Sequence, residues 1–333
     1  MKMKPKLAMY WAASCGGCEI ALTNIHEKLI DLDSHFDFFY CPCLLDTKTE
    51  TIQALPDQSI EFTLFNGGIR TNEHATMAHL LRKKSKYLIA FGSCASEGCI
   101  PALGNLTQAA SHLQTIYIDC PTVENPKKQL PQGETSIPEG TLHIPTYQSS
   151  LRTLNQTVLV DYFVPGCPPE PHQIEQILEK LKQSDSLPPI GSVLGGGISN
   201  VCNECKKIKE KKPIKRFYRT YECIPDSERC LLEQGIICMG IATRDGCGAL
   251  CPEVNMPCTG CYGPPDGVVD QGAKMAGALG SLLDLGDIKS LSEKEIEKRI
   301  QNILDTIPDP VGTFYKYSLA NSILQKRRET DTP

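Results

Sequence analysis

The sequence predicts an α/β protein in which a parallel sheet carries helices on both faces and leads into an irregular, cysteine-rich domain closed by helices. Three observations point there. Short apolar runs bounded by turn residues alternate with helix-length amphipathic segments in the first part of the chain. Nine of the 17 cysteines crowd between Cys202 and Cys261. Linker signals, Leu187-Pro188-Pro189 and Gly195-Gly196-Gly197, separate the two regions. The expected domains are 1–185 and 200–333.

In chain order, strands are expected at 7–13, 36–40, 62–65, 87–91, 115–118 and 162–164, each short, apolar and bounded by turn residues. Helical periodicity fits 19–30, 72–84 and 171–181 between them. The stretch 121–150, rich in Pro, Gly, Thr and Ser, reads as a long surface insertion without its own core. After Cys261 the pattern is helical again, at 267–285 (rich in Ala and Gly), 292–305 and 313–326. Residues 329–333 are expected to fray.

Composition narrows the function. The chain has 333 residues, enough for a large buried core, and a net charge of −5 that provides no field for nucleic acid. No apolar run approaches the ~20 residues of a membrane span. The basic start, Met1-Lys2-Met3-Lys4-Pro5-Lys6, precedes no long apolar segment, cleavage site or twin arginine, so a cytoplasmic location is expected. In a reducing compartment, clustered cysteines read as metal ligands or catalytic thiols rather than disulfides.

Cys15-Gly16-Gly17-Cys18 follows a strand and precedes a helix. Two thiolates at this spacing can grip one metal centre, although the pair alone also fits a thioredoxin-like redox site. Two further segments favour the metal centre. Gly92-Ser93-Cys94-Ala95 follows the strand at 87–91, and Pro165-Gly166-Cys167-Pro168-Pro169 follows the one at 162–164. Ligands of open parallel sheets bind beyond the carboxyl ends of the strands, which is where all four thiols would meet. Zinc also takes four cysteines, but structural zinc usually draws on close pairs. Three distant loops favour an iron–sulfur cluster.

The later cysteines are Cys202, Cys205, Cys223, Cys230, Cys238, Cys247, Cys251, Cys258 and Cys261. Eight ligands suit two 4Fe–4S clusters and leave one over. Gly and Pro surround them, as in Gly246-Cys247-Gly248 and Pro257-Cys258-Thr259-Gly260-Cys261. Such segments make poor helices and good ligand loops. Adjacent clusters serve to pass electrons.

Together, Cys15-Gly-Gly-Cys18-Glu19, Gly92-Ser-Cys94-Ala95, Pro165-Gly-Cys167-Pro-Pro169 and the run from Cys230-Leu-Leu-Glu-Gln-Gly-Ile-Ile-Cys238 to Cys261 resemble the small subunit of nickel–iron hydrogenases. The likeness is greatest to the cytoplasmic methyl-viologen-reducing type, which does not reduce the deazaflavin coenzyme and associates with heterodisulfide reductase. It extends to about residue 275. The resemblance implies a flavodoxin-like first domain and three 4Fe–4S clusters. The proximal cluster falls to Cys15, Cys18, Cys94 and Cys167. The distal one falls to Cys202, Cys205, Cys230 and Cys238, and the medial one to Cys247, Cys251, Cys258 and Cys261. Where exported relatives have a histidine in the distal set and lack one medial cysteine, this chain has Cys202 and Cys251.

The resemblance also implies partners: a catalytic nickel–iron large subunit, and a small iron–sulfur subunit leading to a heterodisulfide reductase-like flavoprotein. The chain itself should not split hydrogen, because no cysteine pair follows Cys261. There are two departures from the family. Cys99 stands where glycine is usual, and Cys223, in Tyr221-Glu-Cys-Ile-Pro225, has no assigned role; were it to replace Cys230, the distal set would change. Glu19 reads equally as a proton relay near the partner's active site or as a first-turn acid favoured by the helix dipole. Cys41, Cys43 and Cys120 read as ordinary apolar thiols. The basic run 206–216 reads as a solvated loop, with docking of an acidic electron carrier as the alternative. Three rivals are a deazaflavin- or NAD(P)-reducing hydrogenase small subunit, a structural zinc protein, and the quinone-oxidoreductase subunit of the same superfamily, which carries only the first site.

Overall fold

The computed structural model describes residues 4–183 and 186–325. The chain divides into two compact units. One holds residues up to Gly195 together with the segment from Leu319 onward, and the other holds Gly196–Ser318. The expected second domain kept 200–333 together; the segment from Leu319 instead groups with the sheet. There Gln156 donates to the Ala320 carbonyl (2.7 Å) and Asn321 donates to Glu97 (3.1 Å).

The strands of the first unit are β1 (Lys6–Trp11), β2 (Asp37–Tyr40), β3 (Ile60–Asn66), β4 (Ile69–Thr71), β5 (Ser85–Phe91), β6 (Glu134–Ile137), β7 (Gly140–His143), β8 (Tyr147–Arg152) and β9 (Tyr162–Val164). Five of them form a sheet in the order β2-β1-β3-β5-β9, with every pairing parallel. Alternating side chains supply two cores. Leu7, Met9, Phe62, Leu64, Ile89 and Phe91 face one way with the helices Gly17–Thr23 and Pro171–Lys182. Ala8, Tyr10, Phe65, Leu88 and Ala90 face the other way with the helix Asn72–Lys84. Both faces are covered, which accounts for the near-continuous apolar strands.

Two expectations fail locally. Residues 115–118 form a π-helical turn, Thr115–Asp119, with Ile116 and Tyr117 exposed and no strand pairing with it among the described residues. The helix expected over 19–30 is two, Gly17–Thr23 and Lys28–His35. The insertion 121–150 contains the exposed hairpin β6–β7, and β8 pairs antiparallel with β4.

The second unit has little regular structure. Its helices include Gln271–Gly280, Glu293–Leu304 and Pro310–Phe314; the helix expected over 313–326 is not formed, and Lys326 lies outside the described residues. Its core gathers Val201, Phe217, Met239, Met275 and Leu279, with Cys205, Cys230, Cys238 and Cys247 packed against it.

Candidate iron–sulfur cluster sites

Sheet register builds the first site. Trp11 pairs with Asn66, Asn66 with Phe91, and Phe91 with Val164, so four neighbouring strands end level. Their following loops leave the same edge. Gly92 N–H donates to the Val164 carbonyl (2.9 Å), and Ser93 N–H donates to the Gly166 carbonyl (2.8 Å), tying the Cys94 loop to the Cys167 loop. Gly92 has φ +82°, and a Cβ there would lie 2.5 Å from Cys18 Sγ. The Cys18 thiol therefore rests where only glycine leaves room. Burial pushes that thiol far up, and the charges of Cys94, Glu19, Cys167 and Cys15 add to the shift. Cys15 is exposed, Cys167 half-buried, and Cys18 and Cys94 buried.

Cys99 joins this group. It is fully buried, and its thiol donates to Cys167 Sγ at 3.4 Å. That hydrogen bond draws Cys167 down to about 7, whereas Cys99 itself is pushed far up by Cys167, Cys94 and burial. Its backbone, φ +52° and ψ −155°, lies in a region that belongs almost wholly to glycine, the residue that the resemblance leads one to expect there.

Beside the same edge, Asn66 Nδ2 donates to both Glu19 carboxylate oxygens (2.8 and 2.9 Å) and to Ser14 Oγ (2.9 Å). Burial raises Glu19 while the Asn66 bond lowers it, and burial wins. Asn66 Oδ1 is left buried without a partner. Asn66 is invisible to motif reading, since only register brings it to Glu19. Cys41 and Cys43 lie together, Sγ to Sγ 3.5 Å, with Cys41 buried and Cys43 exposed, and burial pushes Cys41 up to about 12. The Cys120 thiol meets Thr122 Oγ1 at 3.2 Å.

In the second unit, Cys202, Cys205, Cys230 and Cys238 wall one cavity of about 180 Å³, together with Lys207, Lys209, Glu233 and apolar residues. Cys223 does not line it. Burial pushes Cys202 up to about 12, with the charges of Cys238 and Cys230 adding and that of Lys209 opposing. The turn that presents Cys202 is capped by Asn200, whose Oδ1 accepts from Cys202 N–H (3.1 Å). Lys209 Nζ donates to the carbonyls of Cys202 (2.8 Å) and Cys205 (3.3 Å).

Burial pushes the Cys247 and Cys258 thiols up, with smaller contributions from the neighbouring Cys251 on Cys247 and Cys261 on Cys258. The Arg244 N–H bond to the Gly263 carbonyl (2.9 Å) lays the approach to Cys247 beside the exit from Cys261. Glu204, between Cys202 and Cys205 in sequence, accepts from Gly246 N–H (2.9 Å) and Gly248 N–H (3.1 Å), the amides either side of Cys247. Cys258 N–H donates to Cys238 Sγ at 3.3 Å. Among the described residues, no three Cys, His, Asp or Glu side chains close on a point that would hold a single metal ion. Cys202, Cys205, Cys230 and Cys238 instead surround open space, which suits a larger group.

The family profile described as NADH ubiquinone oxidoreductase, 20 Kd subunit, matches residues 15–181 and stops before the nine crowded cysteines. The iron-sulfur subunit of the F420-non-reducing hydrogenase of Archaeoglobus profundus is 34% identical over 330 residues, covering 98% of this chain and 99% of that one. The chain belongs to the nickel–iron hydrogenase small-subunit family, F420-non-reducing type. The corresponding vhu subunit of Methanococcus voltae, also named F420-non-reducing, is 36% identical and covers 99% of this chain and all of its own length. An NAD+-reducing [NiFe]-hydrogenase crystal structure aligns with 54% of this chain and 92% of its own at 26% identity and a TM-score of 0.47. As a hydrogenase small subunit, the chain is one component of an oxidoreductase and pairs with a large subunit. No helix among its described residues is long and apolar enough to cross a membrane.

Proposed function

We propose that this small subunit conducts electrons from dihydrogen oxidation through three 4Fe–4S clusters: a proximal one on Cys15, Cys18, Cys94 and Cys167, a medial one on Cys247, Cys251, Cys258 and Cys261, and a distal one on Cys202, Cys205, Cys230 and Cys238. The carrying observation is the single cavity walled by the last four thiols, with Cys223 outside it. The level strand ends and the Cys18 thiol over Gly92 support the first site. When bound, each cluster supplies one-electron chemistry at a potential tuned by its surroundings. The chain's residues supply the thiolates and keep water from Cys18, Cys94 and Cys258.

Hydrogen activation belongs to the large subunit. Electrons enter at the proximal site and leave at the distal one, toward a small iron–sulfur subunit linked to a heterodisulfide reductase-like flavoprotein, in the cytoplasm. The relatives' shared description as F420-non-reducing supports that subtype over a deazaflavin-reducing one. Glu19, half-buried and held by Asn66, serves as a proton relay at the same edge.

Iron and sulfide analysis of the anaerobically purified chain tests the reading. About twelve irons with matching sulfide are expected; zinc without sulfide would end it. Cys230→Ser should cost the distal cluster and Cys223→Ser should not, and the reverse result would move that ligand to Cys223.

A further inference from the structure

Two side chains from the stretch that carries Cys202 and Cys205 bring fixed charges of opposite sign to the ligand loops of the two quartets in the second unit. Lys209 lays its ammonium on the carbonyls of both Cys202 and Cys205. Lys207 lines the same cavity, and the nearby Glu233 is taken up by the backbone amides of Glu210 (2.6 Å) and Lys211 (2.9 Å). On the other side, the Glu204 carboxylate takes the two amides flanking Cys247. That uses up two N–H groups that a loop of this kind would otherwise turn toward sulfur, and puts a negative charge in their place. Hydrogen-bond donors and positive charge stabilise the reduced, more negative state of a cluster; lost donors and negative charge do the reverse.

We infer that Lys209 and Glu204 set the direction of electron flow, Lys209 holding the distal quartet at a higher reduction potential and Glu204 holding the medial quartet at a lower one. An electron passing from medial to distal then moves downhill, with no proton or bond changing place. Both residues are positioning groups, acting through ligand loops rather than as ligands. The inference rests on the cluster assignment above.

The test is a potentiometric titration, followed by electron paramagnetic resonance, on the anaerobically purified complex with its large subunit. The medial signal is the one that Cys247→Ser removes, and the distal signal is the one that Cys230→Ser removes. In the wild type the medial signal should titrate below the distal one. Glu204→Gln keeps an acceptor for the loop but removes the charge, and should raise the medial potential. Lys209→Gln should lower the distal one, and Lys209→Arg should leave it in place. The expected size is about tenfold in the reduction equilibrium, about 59 mV for one electron. Opposite shifts in the two charge variants are a signature that a merely structural role would not produce. A wild-type medial potential at or above the distal one overturns the inference without any variant. So does a failure of either signal to move while its cluster is retained. If no cluster signals appear in the wild type, it is the cluster assignment that fails.

Discussion

At the scale of single residues, Gly92 concentrates the demands of the first site. Its φ of +82° strains any side chain, and a methyl there would meet Cys18 Sγ at 2.5 Å. Gly92→Ala should therefore displace the Cys18 loop and cost about 1–3 kcal/mol of stability. Denaturant unfolding should report that loss, and iron analysis should report about four fewer irons. The thiols of the proposed first site were singled out in the sequence because the spacing of Cys15 and Cys18 suits two ligands of one centre, and the strand register brings the loops of Cys94 and Cys167 to the same edge. Asn66, Cys99, Glu204 and Lys209 were not assigned such roles, since each acts through partners brought near by folding. Cys99 stood out only as a departure from the expected glycine, and Lys209 only as part of the basic run 206–216.

At the scale of elements, the placement of β9 governs Cys167. Asp161, just before this strand, accepts from Leu88 N–H (2.7 Å) and pairs with Arg82 of the helix Asn72–Lys84. Arg82 also donates to the Ser85 carbonyl (2.7 Å), so one ion pair joins helix, β5 and β9. Both side chains are mostly buried. Asp161→Ala should leave Arg82 and the Leu88 amide short of a partner and cost about 2–3 kcal/mol, read by urea unfolding. The parallel strands could be foreseen because burial on both faces leaves an unbroken apolar run. Residues 115–118 have the same β-branched and aromatic content but no neighbouring strand to pair with, and composition cannot supply one. The helix 19–30 was overextended because apolar periodicity carries on across a turn at His26, where φ is +52°.

At the scale of the whole molecule, the two units differ in what holds them together. The sheet unit has two apolar cores and a five-stranded hydrogen-bonded parallel sheet. Among its described residues the second unit has short turns, two longer helices, Gln271–Gly280 and Glu293–Leu304, and a core against which Cys205, Cys230, Cys238 and Cys247 pack. Removing iron with a chelator should thus leave the sheet protected and open the segment 196–318, as measured by hydrogen exchange. The loss of iron should proceed in two phases rather than three. The Cys258 amide rests on Cys238 sulfur, and Glu204 reaches from the loop of one quartet into the loop of the other. Each loop therefore depends on the other for part of its shape. If the proposed clusters form, a newly made chain is expected to carry the proximal centre alone or the full complement, so iron counts taken during maturation should show no abundant subunit with one of the two later clusters.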